Sequence, residues 1–312
     1  MAPGFEPVAA EFRRNFAECD ELGAAFAAVV EGRTVIDVWG GVADPVEERR
    51  WERDSLQLIF SGAKGLVAAC VLLLIDRGEL DLDARVCEYW PEFAAAGKEG
   101  VTVRQVVTHS AGLPGLATPV SIADILDARR MAELLAAQPQ FDDLRAFATY
   151  HGRTYGWLCG ELVRRVDGRP VGRFFAEEFA APLGLHLYLG VPPAQEPRVT
   201  RCELGATWAS LDLVGSTDEA DRDELRHAIW DNPQTLTPDS FPANDPAYRR
   251  AEIPAVNAIG TARSVARFYA SLDRLISAPA LGLGASPLVR RSDALFGGEQ
   301  NWGVGFELQT AR

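Results

Sequence analysis

The 312-residue sequence predicts an α/β fold with strands at both ends of the chain and helices between them. Three observations lead there. Near the N-terminus, two strand-like runs, Ala24–Val30 and Thr34–Trp39, flank Glu31-Gly32-Arg33 and read as a β-hairpin. From Ser61 to Leu275 the apolar residues fall in longer, helix-like segments. Near the C-terminus, Asn301-Trp302-Gly303-Val304-Gly305-Phe306-Glu307-Leu308 reads as a late strand. The two ends are expected to build one antiparallel sheet flanked by helices, with a large, mostly helical insertion. On this reading residues 1–60 begin the sheet layer, residues 61–259 form the helical part and residues 260–312 return to the sheet.

In chain order, Glu11–Asp20 reads as a short amphipathic helix ahead of the hairpin. Trp51–Phe60 is a connector whose end, Leu58-Ile59-Phe60, looks like a buried approach to Ser61. Ser61 opens an apolar run from Leu66 to Ile75 that stops at Asp76-Arg77-Gly78, so a core helix is expected there. Val101–Thr108 predicts a short helix, and His109-Ser110-Ala111-Gly112-Leu113-Pro114-Gly115 a tight ordered loop. Further helices are expected at Ser121–Ala137, Tyr155–Asp167 and Val171–Ala181. Leu211–Trp230 is acidic and reads as a solvated helix or loop, and Gly260–Leu275 as an amphipathic helix.

Composition narrows the function. A hydrophobic fraction of 47% supports a sizeable core, and a net charge of −13 argues against nucleic acid and anionic membrane surfaces as partners. Met1–Asp20 shows no basic-then-apolar pattern, so no signal peptide is expected. The five cysteines are scattered without Cys-x-x-Cys spacing and are expected to be reduced thiols of a cytoplasmic protein. His109, His151, His186 and His227 form no ligand-spaced pair, so neither a metal nor a cofactor is expected.

The chemistry is signalled by lysine usage. The chain has two lysines against 29 arginines, and one of them completes Ser61-Gly62-Ala63-Lys64. Lys can do what Arg cannot: lose its proton near neutral pH when its pKa is lowered, and act as a base. On a helix, residues three apart share a face, so the Lys64 amine can reach the Ser61 hydroxyl. The spacing alone is weak, but the apolar surroundings strengthen it, and Lys in a first helical turn opposes the helix dipole unless it has another task. The blander reading makes Ser61 an N-cap and Lys64 a surface residue.

A Ser/Lys pair needs a group that carries the proton to the leaving group. Tyr150, in Thr149-Tyr150-His151-Gly152, lies in a loop just before a helix; Tyr155, at the helix start, competes with it. His109 could pair with a serine, but bracing the glycine-rich loop explains it as well. No Gly-x-Ser-x-Gly elbow, dinucleotide fingerprint or phosphate loop occurs.

Taken together, Ser61-Gly62-Ala63-Lys64-Gly65-Leu66, Val106-Val107-Thr108-His109-Ser110-Ala111-Gly112-Leu113-Pro114, Tyr150-His151-Gly152 before a helix, and Gly260-Thr261-Ala262 opening another resemble the β-lactamase-related serine hydrolases. That family holds class C β-lactamases, D-alanyl-D-alanine peptidases and family VIII esterases. The resemblance implies a β-lactamase/transpeptidase-like fold. It also implies Ser61 as acyl-accepting nucleophile, Lys64 and Tyr150 as bases, and the Ser61 N–H as one arm of an oxyanion hole. The substrate would be a small-molecule ester or amide.

Two departures qualify the resemblance. The family's Tyr-x-Asn reads Tyr150-His151-Gly152, and the missing amide favours esters over β-lactams. The family also continues past a strand like Trp302–Leu308 to a Lys-Thr-Gly or His-x-Gly strand, which this sequence lacks, so a truncated member is expected. The alternatives are a D-amino-acid peptidase, a weak β-lactamase, or an inactive binding protein of the same fold.

Overall fold

The computed structural model describes residues 1–141, 146–205, 208, 224–295 and 297–309. Helix α1 (Glu6–Glu18) precedes strands β1 (Gly23–Val30) and β2 (Arg33–Asp44), with Pro7 in its first turn. β1 and β2 pair antiparallel around the Glu31-Gly32 turn, where both residues have positive φ. A short β3 (Arg49–Arg50) extends this sheet on the β2 side.

β4 (Gln57–Leu58) leads through a 3₁₀ turn, Phe60–Gly62, into α2 (Ala63–Asp76). Every residue from Ala63 to Leu74 is buried. A helix apolar all round belongs in the middle of a core rather than on its surface. Each fully buried Leu or Val of this run contributes about 1.5–3 kcal/mol. The helices that follow are α3 (Val86–Tyr89), α4 (Val103–Val107), α5 (Ile122–Ile125), α6 (Ala128–Ala137), α7 (Thr154–Asp167), α8 (Val171–Phe175) and α9 (Ala181–Leu183). α7 and α8 pack directly on α2. The expected single helix over Ser121–Ala137 is two helices. The Asp127 side chain caps α6 by accepting from the Arg129 and Arg130 N–H groups, which breaks the run.

β5 (Leu187–Tyr188) and β6 (Ile259–Gly260) complete a second small sheet in which β6 lies between β4 and β5. Between them lies α10 (Pro246–Arg250). Thr261 caps α11 (Ala262–Tyr269), then come α12 (Ala278–Ala285) and the hairpin β7 (Val289–Ser292) and β8 (Glu299–Trp302). Of the acidic stretch expected over Leu211–Trp230, residues 211–223 lie outside the described residues. No described helix is long and apolar enough to cross a membrane.

The mixed α/β architecture with antiparallel strands and a helical middle is as expected; the strand pairing differs. Among the described residues, the strands of the two chain ends do not pair with each other. β1 packs against α11 instead. The C-terminal hairpin turns inward: Ala148 N–H donates to Ser292 O at 3.1 Å, and Gly305 N–H to Val107 O at 2.9 Å. The late strand is also shorter than expected. β8 ends at Trp302, and Gly303–Gly305 form a bend that brings Glu307 back opposite Trp302.

Candidate active site

Three segments distant in sequence meet ahead of α2. The first is the approach to the helix. β4 is hydrogen-bonded to β6, and Ile59 N–H donates to Ala258 O at 2.9 Å, which fixes the chain up to Phe60. Phe60 has φ +44, in the left-handed region that a bulky residue enters only at a cost. That turn leaves Ser61 exposed, one turn ahead of the α-helix proper. The N-cap position of α2 falls on Gly62, so the N-cap reading does not describe Ser61. The start of α2, with its positive dipole end, lies just beyond it.

Lys64 is buried (4% exposed), and its Nζ has three partners. Nζ donates to Gly152 O at 2.7 Å and Ala255 O at 3.1 Å, and lies 3.2 Å from Ser61 Oγ. Burial pulls its pKa down to about 7. The partners matter as much as the pKa. A carbonyl can only accept, whereas a hydroxyl can accept or donate. A neutral amine has two N–H bonds, which satisfy the two carbonyls, and one lone pair, left facing the Ser61 hydroxyl. Lys98 supplies the contrast. It is also buried, with its pKa drawn down to about 8, but its three partners are all carbonyls, those of Ala95, Ala136 and Gln138. Those acceptors require three donors and hold Lys98 as a cation.

Tyr150 belongs to the second segment. Its hydroxyl hydrogen-bonds with Ser61, and its ring lies 4.7 Å from Lys64 Nζ. Burial raises its pKa, the Ser61 hydrogen bond opposes this, and the Glu307 carboxylate adds to the rise. The group is therefore a phenol at neutral pH. Two indoles lie near its ring and roughly parallel to it, Trp302 at 6.1 Å and Trp230 at 6.2 Å, with interplanar angles of 18° and 28°. Its backbone N–H donates to the buried Asp293 carboxylate at 3.2 Å. Tyr155, the competing tyrosine, is fully buried and stacks on His109 at 4.8 Å. Its hydroxyl finds no hydrogen-bond partner of normal geometry among the described residues and lies beside the Cys159 thiol.

The third segment is the glycine-rich loop, stitched to the second through histidines. His109 Nδ1 accepts from His151 N–H at 3.0 Å, which places its proton on Nε2. His151 Nδ1 donates to Thr149 O at 2.6 Å, and its Nε2 accepts from Leu113 N–H at 3.2 Å. Thr154 Oγ1 donates to Leu113 O at 2.7 Å. Both histidines are fully buried and neutral: burial holds His109 well below its usual value and takes His151 down to about 4. His109 packs against Trp302 with centroids 4.2 Å apart. It braces the loop, and among the described residues no hydrogen bond links it to Ser61.

The structure thus brings Ser61, Lys64 and Tyr150 together. Sequence reasoning did not anticipate the supporting residues: His151, Asp293, Trp230, Trp302 and the carbonyl of Ala255. The one available signal was the density of Tyr, His and Gly around position 150.

A sequence model described as Beta-lactamase matches residues 12–312, and the chain belongs to that family. It is 37% identical over 280 residues to the esterase/beta-lactamase LipL of Mycobacterium tuberculosis, covering 86% of this chain and 63% of LipL. It is 29% identical over 185 residues to the esterase EstB of Burkholderia gladioli, covering 53% of this chain and 46% of EstB. The chain therefore spans less than two thirds of the length of these relatives. Among solved structures, a family VIII carboxylesterase superposes with a TM-score of 0.88 at 35% identity, over 99% of this chain and 82% of that one. A penicillin-binding protein homolog from Caulobacter crescentus gives 0.87 at 33% identity, over 98% and 82%.

Proposed function

We propose that the protein is a serine hydrolase that works through an acyl-enzyme on small carboxylic esters. Ser61 is the nucleophile, and Lys64 and Tyr150 handle the proton. The observation that carries this reading is the partner set of Lys64: two carbonyls that occupy the N–H bonds of a neutral amine, and Ser61 Oγ opposite the lone pair.

In this reading Lys64 takes the Ser61 proton as Oγ bonds to the ester carbonyl carbon. The negative charge that develops on the carbonyl oxygen is met by the Ser61 N–H and the positive start of α2. The proton then passes through the Tyr150 hydroxyl to the departing alkoxide, and the carbon–oxygen bond breaks. Water then reverses the sequence on the acyl group: its oxygen bonds to the acyl carbon as it gives a proton to the same relay, the relay returns a proton to Ser61 Oγ as the acyl–Oγ bond breaks, and the carboxylic acid departs. Tyr150 serves as a relay in its phenol form, in keeping with its raised pKa. The ester preference is supported by Gly152, which supplies no side-chain amide, and by the names of LipL, EstB and the superposing carboxylesterase.

The test is covalent. A fluorophosphonate should label the peptide that contains Ser61, and a short-chain nitrophenyl ester should give a burst of nitrophenol and turn over faster than a chromogenic cephalosporin. Labelling of Ser61→Ala equal to that of the parent would sink the nucleophile assignment. Faster cephalosporin turnover would replace the ester reading with a lactam one.

A further inference from the structure

We propose that Trp230 sets which acyl group the site accepts, by forming a flat apolar wall over Gly152 beside Tyr150. This rests on the acyl-enzyme reading above. A Cβ placed on Gly152 would lie 3.1 and 3.2 Å from two carbons of the Trp230 six-membered ring and 3.4 Å from an Ile229 methyl group. The indole therefore fills the space that any side chain at position 152 would need. That is the position where the resemblance leads one to expect an amide. The half-buried indole also faces the Tyr150 ring, with centroids 6.2 Å apart.

The wall is fixed in place. The buried Arg153 guanidinium donates to three carbonyls of one segment: Ile229 at 3.0 Å, Asn232 at 2.9 Å and Pro233 at 2.9 Å. The Asn232 amide donates to Leu116 O and Thr118 O and accepts from Val120 N–H, each at 2.8 Å. Gly115 lets the same segment approach the glycine-rich loop, since a Cβ there would lie 2.3 Å from Ala228 O. Residues 228–233 are thus clamped from both sides, with Trp230 at their centre.

The leaving group must reach the Tyr150 hydroxyl to take its proton. The outer edge of the Trp230 six-membered ring lies against Gly152, and the indole lies beside the Tyr150 ring rather than at its hydroxyl, so the part of the substrate that meets it is the acyl part. An indole face favours planar or extended apolar groups. It offers an acyl amide no hydrogen-bond partner, because Trp230 Nε1 is itself buried away from solvent.

The experiment compares nitrophenyl esters that share one leaving group: acetate, 3-phenylpropanoate and N-acetylglycinate. Trp230→Ala should lower the kcat/KM ratio of phenylpropanoate to acetate by about tenfold, whereas Trp230→Phe should keep most of it. Gly152→Asn alone should lower Tm because it meets the indole. Adding Trp230→Ala should restore Tm and raise the N-acetylglycinate rate relative to acetate. An unchanged ratio in Trp230→Ala, with Ser61 still labelled by the fluorophosphonate, overturns the inference alone. A parent protein that is not labelled at Ser61 overturns the acyl-enzyme reading, and this inference with it.

Discussion

Lys64 makes a quantitative demand on the pH profile. With a pKa of about 7 the amine is half neutral at pH 7. The neutral fraction falls to about one tenth at pH 6 and about one hundredth at pH 5, and is nearly complete above pH 8. A lysine at its ordinary value would be neutral in only about one molecule in 3,000 at pH 7. Burial therefore raises the supply of base about a thousandfold. The sign follows from the role: the neutral form is active, so acylation rises with pH through about 7 and then levels. His151, at about 4, and His109, held well below its usual value, do not titrate in that window. A single inflection is therefore expected.

The assay is the rate of the nitrophenol burst under single-turnover conditions between pH 5 and 9, measured on the parent and on Lys64→Arg. The arginine variant keeps the charge but not the base, since a guanidinium stays protonated. Its burst should be slower by about 10²-fold or more and show no inflection near 7. Melting curves of both proteins separate lost chemistry from lost folding. A burst rate flat from pH 5 to 8 in the parent, or an Arg variant that acylates at the parent rate, would refute the argument.

Two further predictions rest on the same region and its control. Tyr150→Phe should lower ester turnover by about 10²-fold, while Tyr155→Phe should keep it near the parent's, because the Tyr155 hydroxyl serves no partner of normal geometry; equal losses would undo the choice between the two tyrosines. Lys98→Met strands the two buried carbonyls of Ala136 and Gln138 and should cost about 2 kcal/mol or more of stability, read as a lower denaturant midpoint with turnover per folded molecule retained; an unchanged midpoint would show that Lys98 does not hold that corner together.

Chemistry that depends on local spacing was legible in the sequence. Ser61 and Lys64 stand three residues apart ahead of an apolar run, and both facts survive folding, although Ser61 sits in a 3₁₀ turn rather than in the α-helix. The core helix was legible because a run apolar on every side has few other places to go. The small sheet around β6 was not, because strands of two residues are too short to show an alternating pattern. The expected joint sheet failed for a related reason. A run such as Asn301–Leu308 shows strand character without naming its partner, and here it folds back on itself through the Gly303–Gly305 bend. Trp230 lies 78 residues from Gly152, and only the folded chain shows that one fills the space above the other. His151 was visible as a residue next to Tyr150. Its work, tying Thr149 to Leu113, depends on a contact across 38 positions.

Among the described residues, carboxylates are kept away from Lys64. The chain carries 44 acidic residues, and elsewhere they pair readily with arginines: Arg169 alone meets Asp167, Glu177 and Glu178. Around Lys64 the polar partners are carbonyls and a hydroxyl, and burial alone drives its pKa down, with no carboxylate countering it. One carboxylate about 4 Å away would contribute about 4 kcal/mol at an effective dielectric constant near 20. That is about three pKa units, enough to return Lys64 close to its ordinary value and remove the base. Among the described residues Lys64 has no carboxylate partner, and the carbonyls of Gly152 and Ala255 that hold it make an environment suited to a neutral amine. Lys98 shows that the same fold can hold a buried lysine as a cation when the third partner is also a carbonyl. At Lys64 the Ser61 hydroxyl stands in place of that third carbonyl, and the proposed proton-accepting role of Lys64 rests on this difference.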